Sequence, residues 1–331
     1  MRNILFTIVA ALMLAIPVQA KPLMVYTSQA EEMAQKTIDA FQKANPGIEV
    51  EWIRNGTSAM MNVLRAEIEA GGIIADVVLL ADIVNFSVLK QGGHLLAYPE
   101  APVADYDSAY YDKDMMYFGT RALTTGIMYN TDNAKPVSSY MDLLVEENRG
   151  MIAVPSPLYS GAALNHLHAM LGDPDGPGWA FYEGLEALDI VPAGGNGGAK
   201  KAVATGLAKY GIVVDEVAIS IKLTGSPVDY IIPTEGVSYI TEPVAIIATS
   251  KKVDEAKAFV NWVLSVDAQK FMMSEGKIPL HPDASPPEGY PNVNEIKLLS
   301  FNAEEALKNN DAIRAKFADM FCLFTVILHI V

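Results

Sequence analysis

Between Pro22 and Gly93 the chain alternates short apolar runs with amphipathic ones, and that order leaves few folds open. "PLMVYTS" is followed by "QAEEMAQKTIDAFQKANPG", whose Met33, Ile38 and Phe41 fall at helical spacing before an Asn-Pro-Gly stop. Then come "IEVEWI", the loop "RNGTS", a helix "AMMNVLRAEIEAGG", the buried-strand run "ADVVLLAD" and a helix "VNFSVLKQGG". Strand and helix in strict alternation imply parallel strands joined by crossover helices. In such sheets ligands sit at the carboxyl ends of the strands, where Thr27, Ser28, Thr57, Ser58 and Asp82 fall.

A tyrosine-rich segment, "YPEAPVADYDSAYYDKD", leads to "MMYFGTRALTTGIMYNT", read as two extended pieces crossing into a new unit. The second unit repeats the logic. It has a strand "MIAVP", a helix opening after Ser160, a helix "PGWAFYEGLEAL", a loop "AGGNGG", a helix "AKKAVATGLA" and a strand "YGIVV" ending at Asp215 and Glu216. After "VDYIIPTEGVSYITEPVAIIAT" the chain is helix-rich again. Two α/β units joined by extended crossings imply a cleft between two lobes.

The termini set the expected location. Arg2, the apolar "ILFTIVAALMLAIP" and "VQA" ending at Ala20 read as a secretory signal cleaved after Ala20, with an N-terminal anchor as the competing reading. The expected location is therefore the periplasm. The tail after residue 321, "CLFTVILHIV", is too short to span a bilayer as a helix and reads as either a docked strand or an atypical terminus. A net charge of −15, with no stripe of Lys and Arg, argues against nucleic acid as partner. It leaves a small anion open, because that depends on local dipoles. The one cysteine, Cys322, permits no internal disulfide.

No motif spells an enzyme: there is no G-x-S-x-G, no G-K-[ST] after a glycine loop and no H-E-x-x-H. His166 and His168, two apart on a helix, point to different faces and read as structural or surface residues. The paired methionines at 60, 115 and 272 read as core filler. In "AGGNGGAKKA" the glycines supply a turn before a helix, with Asn196 and the amides of Gly197 and Gly198 able to face a ligand. Asp215 and Glu216 end an apolar strand, where two acids are costly unless solvated or paired; they either complement a helix dipole or face the cleft and pair with a cation. Glu235, in "PTEGV", has a similar claim. Ser160, Gly161 and Ala162 open a helix whose unpaired amides admit an oxyanion, although plain N-capping by Ser160 also explains them. Thr57 and Ser58 open a helix in the other lobe in the same way.

Together "LMVYTSQAEE", "ADVVLLAD", "GIMYNT", "PSPLYSGAALNHL", "YGIVVDEVA" and "GSPVDYIIPTEGVSYITEPVAI" resemble the periplasmic solute-binding proteins of ABC importers. The resemblance is to the group of ferric-ion-binding proteins and their phosphonate- and sugar-phosphate-binding relatives. It implies an α/β, two-lobe periplasmic binding protein fold of type II. Each lobe is expected to be a mostly parallel sheet flanked by helices, with the ligand cleft between them. The implied lobes are 21–120 plus 244–280 and 121–243 plus 281–321. The implied function is capture of a small solute by lobe closure and delivery to an inner-membrane permease, by a monomer without catalytic activity or cofactor.

Members that hold bare ferric ion use a His and a Glu from the first lobe and a Tyr pair from the second. By local pattern these fall at Ala30, Ala81, Glu216 and Val217, which supply no such set. The anion bed of Ser160, Gly161, Ala162 and Asn196 does match. An oxyanion cradle with acids in place of metal ligands describes a zwitterion, with 2-aminoethylphosphonate as the sharpest expectation. Its phosphonate would lie on the helix ends at Ser58 and Ser160, and its ammonium near Asp82, Asp215 or Glu216. A sugar phosphate, ferric iron held by other tyrosines, and a lyase or hydrolase using Asp215 and Glu216 remain open.

Overall fold

The computed structural model describes residues 21–321 except 193, 289, 293, 294 and 301; the expected signal at 1–20 and the tail at 322–331 lie outside the described residues. The chain opens β1 (Leu23–Thr27), α1 (Glu31–Ala44), β2 (Val50–Arg54), α2 (Thr57–Glu69), β3 (Val77–Leu79) and α3 (Ile83–Gln91). In α1 the buried residues Met33, Ala34, Thr37, Ile38 and Phe41 form one stripe, while Glu31 and Glu32 at its start and Lys43 at its end complement the helix dipole.

These elements and β4 (Phe118–Gly119) build the first sheet with a late strand, β10 (Pro243–Ile246), in the order β2-β1-β3-β10-β4. Side chains alternate between two cores. Leu23, Val25, Val77, Leu79, Val244 and Ile246 enter one; Tyr26, Val78, Leu80 and Ala245 enter the other. A sheet covered on both faces accounts for the unbroken apolar run at Val77–Leu80.

The second sheet is built around β5 (Leu123–Asn130), with β6 (Ile152–Ala153), β7 (Tyr210–Val214), β8 (Val228–Ile231) and β9 (Ser238–Ile240). Its order is β6-β7-β5-β8, with β9 paired to the start of β5. Its helices are α4 (Gly161–Gly172), α5 (Gly178–Ala187), α6 (Asn196–Ala204) and α7 (Asp215–Leu223). Helices α8 (Val253–Val263) and α9 (Val266–Ser274) follow β10 and bury Phe259, Val260 and Met272 in the first sheet's core. The last helix, α10 (Ala303–Met320), buries Phe317 with Tyr182 and Phe181 of the second unit and also packs on α3 of the first.

Strand direction corrects the expectation of mostly parallel sheets. Among these strands parallel pairing is confined to β1–β2, β1–β3 and β6–β7; every pair that includes β5 or β10 is antiparallel. The cause is topological. Both strands enter their sheets directly from the other unit, without the crossover helix that parallel pairing needs.

Two further boundaries differ. Asp215 and Glu216 do not end a strand but form the first turn of α7, and Asn196, Gly197 and Gly198 form the first turn of α6, leaving a shorter loop in which Gly194 has φ of +55°. Met60, Met61 and Met272 lie in cores as expected, while Met115, Met116 and Met273 are half-buried. His166 and His168 are buried and bonded to Ser238 Oγ and Asn310 Oδ1. Burial depresses the His166 imidazole to about 3, so it is neutral at ordinary pH.

Between the sheets the chain crosses at Thr120–Arg121–Ala122 and returns at Thr241–Glu242. The two crossings are bonded to each other: Thr120 N donates to Thr241 O at 2.9 Å and Thr120 Oγ1 to Glu242 O at 2.9 Å. Glu242 has φ of +36°, a strained value for a residue with a side chain, and it is held there by its neighbours.

Candidate functional site

Beside these crossings the two units enclose a cavity of about 80 Å³. Helix starts surround it. Its lining includes Ala30 before α1, Gly56 and Thr57 at α2, Ser160 and Ala162 at α4, Gly195, Asn196 and Gly197 at α6, and Val214, Glu216 and Val217 at α7. First-turn amides have no acceptor within their own helix, and each start carries partial positive charge. Gly56 and Gly195 offer no side-chain cap; at α6 the Gly198 amide turns back to Gly195 O at 3.1 Å, and the amides before it have no side-chain acceptor from the cap residue.

Polar side chains fix this bed. Ser160 Oγ caps α4 by accepting from Ala163 N at 3.3 Å and accepts also from Asn196 Nδ2 at 3.3 Å, while Asn196 Oδ1 accepts from Val214 N at 3.0 Å. Asn196 therefore ties three elements together as well as lining the cavity. Ser28 Oγ accepts from Ala81 N at 2.9 Å, joining the ends of β1 and β3 on the opposite wall.

The inner end, against the crossings, is a buried ionic cluster. Arg121, 3% exposed, donates from Nε and Nη2 to the Glu242 carboxylate at 2.5 and 2.9 Å and pairs through Nη1 with Glu216. Gln29 Nε2 donates to Glu242 at 2.9 Å and Gln29 Oε1 accepts from Thr37 Oγ1 at 3.2 Å. Burial alone would push Glu242 up, but the Arg121 guanidinium, with Lys277 and Gln29, holds its carboxyl below the ordinary value. Behind them Lys277 is fully buried, its Nζ without a hydrogen-bond partner among the described residues, and desolvation aided by Arg121 pushes it down to about 7.

The outer end reaches solvent. Exposed Arg54 donates from Nε to Gln29 O at 2.9 Å and from Nη1 to Tyr159 Oη at 3.3 Å, a bond from the first unit to the second.

Of the residues picked from sequence, Ser28, Thr57, Ser160, Ala162, Asn196, Gly197 and Glu216 line this cavity. The others do not. Ser58 follows Thr57 into α2 without joining the lining. Gly161 packs against Ala81 O and Thr57, where a Cβ would come within 2.5 Å of the carbonyl oxygen. Asp82 caps α3 by accepting from Asn85 N at 3.1 Å and faces a separate cavity shared with Arg65, His168 and Asp311; burial raises its pKa. Asp215 turns away, accepting from Thr124 N at 2.9 Å and Thr124 Oγ1 at 2.7 Å, and desolvation raises it to about 7. Glu235 accepts from Ser139 Oγ at 2.5 Å and Tyr140 N at 3.1 Å, closing a turn away from the cavity.

Sequence reasoning missed Gln29, Arg54, Gly56, Arg121, Tyr159 and Glu242. Two of them carried a signal: Arg121 in "MMYFGTRALTTGIMY" and Glu242 in "YITEPVAI" are lone charges in apolar runs, which a fold tolerates only when they find each other. Arg54 ends β2 as Ser28 follows β1, so its place at a strand's carboxyl end was also readable.

The family model for bacterial extracellular solute-binding proteins matches residues 25–270. The chain belongs to that family. A probable ABC transporter periplasmic-binding protein of Sinorhizobium fredii, y4fP, is 25% identical over 283 residues, covering 82% of this chain and 77% of that protein. An uncharacterized protein of Haemophilus influenzae is 29% identical over 87 residues, so the chain spans only 25% of that relative's length and the match covers 25% of its own. Among solved structures, the periplasmic binding protein AfuA of Actinobacillus pleuropneumoniae with fructose-6-phosphate bound superposes with a TM-score of 0.80 at 20% identity, covering 91% of this chain and 99% of AfuA. Iron-bound HitA of Pseudomonas aeruginosa gives 0.75 at 19% identity, over 89% and 99%. The fold is thus the type II periplasmic binding protein fold, two α/β lobes flanking a cleft. In it, the positions to which the resemblance assigned the ferric ligands, Ala30, Ala81, Glu216 and Val217, all line the cavity.

Proposed function

We propose that this chain is the periplasmic substrate-binding component of an ABC importer and that its solute is a small zwitterion carrying a phosphonate or phosphate, with 2-aminoethylphosphonate the best fit. The lobes are taken as 21–120 plus 244–280 and 121–243 plus 281–321, closing on the solute and presenting the closed form to a membrane permease. One observation carries the reading: the cavity is bipolar. Its outer part combines the starts of α2, α4 and α6 with Arg54, a bed for an oxyanion. Its inner part sets two carboxylates, Glu216 and Glu242, against one guanidinium, Arg121, with Lys277, pushed down to about 7, behind them, so that the carboxylates are in excess for an ammonium once Lys277 has lost its proton. Glu216 is the one acid of the three expected at the ammonium end that faces the cavity.

A sugar phosphate is the second reading, favoured by the likeness to AfuA with fructose-6-phosphate bound. Ferric iron is supported by the likeness to HitA and other iron-binding structures and not by the tyrosines around Asp215. Tyr230 and Tyr290, the tyrosines beside Asp215, bond to Thr124 outside the cavity, and burial pushes both phenols up, away from the phenolate that iron needs. Asp215 bonded to Thr124 and Glu216 paired with Arg121 also make a poor acid/base couple.

Calorimetric titration of the refolded chain with 2-aminoethylphosphonate, glucose 6-phosphate, inorganic phosphate and ferric citrate separates these readings. Micromolar binding of the aminophosphonate, unaccompanied by product, is the expected result; preference for the sugar phosphate or for iron overturns it. Ser160→Asp places a negative charge at the α4 start and should lower anion affinity at least about a hundredfold with the fold intact. Unchanged affinity removes the cradle.

A further inference from the structure

Tyr159 stands on the lobe 2 loop before α4, half-buried, with its ring against the cavity. Its slot is made of two glycines. A Cβ on Gly56, in lobe 1, would sit 2.7 Å from the ring, and one on Gly195, in lobe 2, 3.2 Å from it. Neither glycine needs its conformational freedom: Gly56 has φ −61° and ψ 148°, Gly195 φ −123° and ψ −174°, angles that any L-residue adopts. What these positions supply is space for an aromatic ring. A third glycine repeats the pattern across the lobes, since Gly161 meets Ala81 O and Thr57 of lobe 1 where a Cβ would clash.

The ring's hydroxyl accepts from Arg54 Nη1 of lobe 1 at 3.3 Å, at the end of the cavity that reaches solvent. Gly56 starts α2 and Gly195 caps α6, so the ring seals the amide bed where those two helix starts meet. It does so with one wall from each lobe. The slot therefore exists only when the lobes are closed.

We infer that Tyr159 is a specificity-determining gate: closure seats its ring in the Gly56–Gly195 slot, where it covers the outer end of the cavity and sets the maximum length of the solute. This rests on the reading of the cavity as the solute site. A solute that fits beneath the ring permits the Arg54 bond and full closure. One that is longer holds the ring out of its slot and the lobes apart.

The test compares wild type with Gly56→Ala, Tyr159→Phe and Tyr159→Ala, by titration with inorganic phosphate, 2-aminoethylphosphonate and 3-aminopropylphosphonate and by X-ray scattering with and without solute. Gly56→Ala should melt like wild type without solute, bind every solute about tenfold or more weakly, and lose the contraction on binding. Tyr159→Phe, which keeps the ring, should retain the wild-type preference for the shorter aminophosphonate. Tyr159→Ala should shift that preference toward the longer one by about tenfold, which loss of a structural contact alone would not do. A Tyr159→Ala chain with the wild-type ratio, or a Gly56→Ala chain that binds and contracts normally, overturns the gate. If wild type ignores this series but binds another compound from a library of small organic phosphates, sugars and amino acids, the aminophosphonate reading fails alone. The same variants then judge the gate with that compound and its longer homologue. A library without any binder overturns both.

Discussion

The two ends of the cavity each hold an arginine, and the two arginines do opposite work. Arg121 is buried and spent on Glu242 and Glu216, so the inner end is assembled whether or not a solute is present. Arg54 is exposed, its guanidinium shared between a backbone carbonyl and a tyrosine of the other unit, so the outer end is held by a contact between the two units. The difference follows from the dielectric around each charge. A desolvated guanidinium must be matched by carboxylates or the fold does not form; a hydrated one costs little to leave free and remains available to a ligand.

Breaking the inner end should therefore cost the most. Arg121→Met leaves Glu242 and Glu216 buried without their counter-charge, and a loss of about 3–5 kcal/mol is expected by denaturant unfolding. A loss below about 1 kcal/mol would mean that water or Lys277 already compensates the carboxylates.

The neighbouring acids sharpen the contrast. Glu216 has a cation, whereas Asp215 accepts from Thr124 and the Glu216 amide, and burial lifts it from 3.8 to about 7. The folded state then holds a proton that the unfolded chain has lost, so stability falls as pH rises from about 4 to about 7. Asp215→Asn should remove that part of the slope, worth on the order of a few kcal/mol across the window. Unfolding curves that remain parallel for wild type and variant over this range would show that Asp215 is ionised throughout.

At the outer end the effects shrink. Arg54→Met should change stability by less than about 0.5 kcal/mol, lower anion affinity several-fold and flatten its dependence on salt, because an exposed charge is screened. A salt dependence equal to that of wild type would assign the attraction to the helix starts alone.

Much of the scaffold was readable because periodicity is local. The stripe in α1, the buried run at Val77–Leu80 and the N-cap at Ser160 each follow from residues a few positions apart. Part of the site was readable for the same reason. Ser28, Thr57, Ser160 and Asn196 sit at strand ends and helix starts, where an α/β sheet gathers its ligands. Asp82 and Glu235 have the same local credentials and yet serve a cap and a turn, since nothing near them in sequence says which way a lobe's surface faces.

The sequence by itself determined the alternation of strand and helix, the two-unit organisation and several of the helix starts that line the cavity, all short-range consequences of side-chain spacing and capping. The tertiary structure alone decided that Arg121 meets Glu242, 121 positions away, and that Tyr159 finds its slot beside Gly56. Both pairings join residues remote in the chain: the first depends on burial that exists only once the fold is formed, and the second brings a loop of one unit against a helix start of the other.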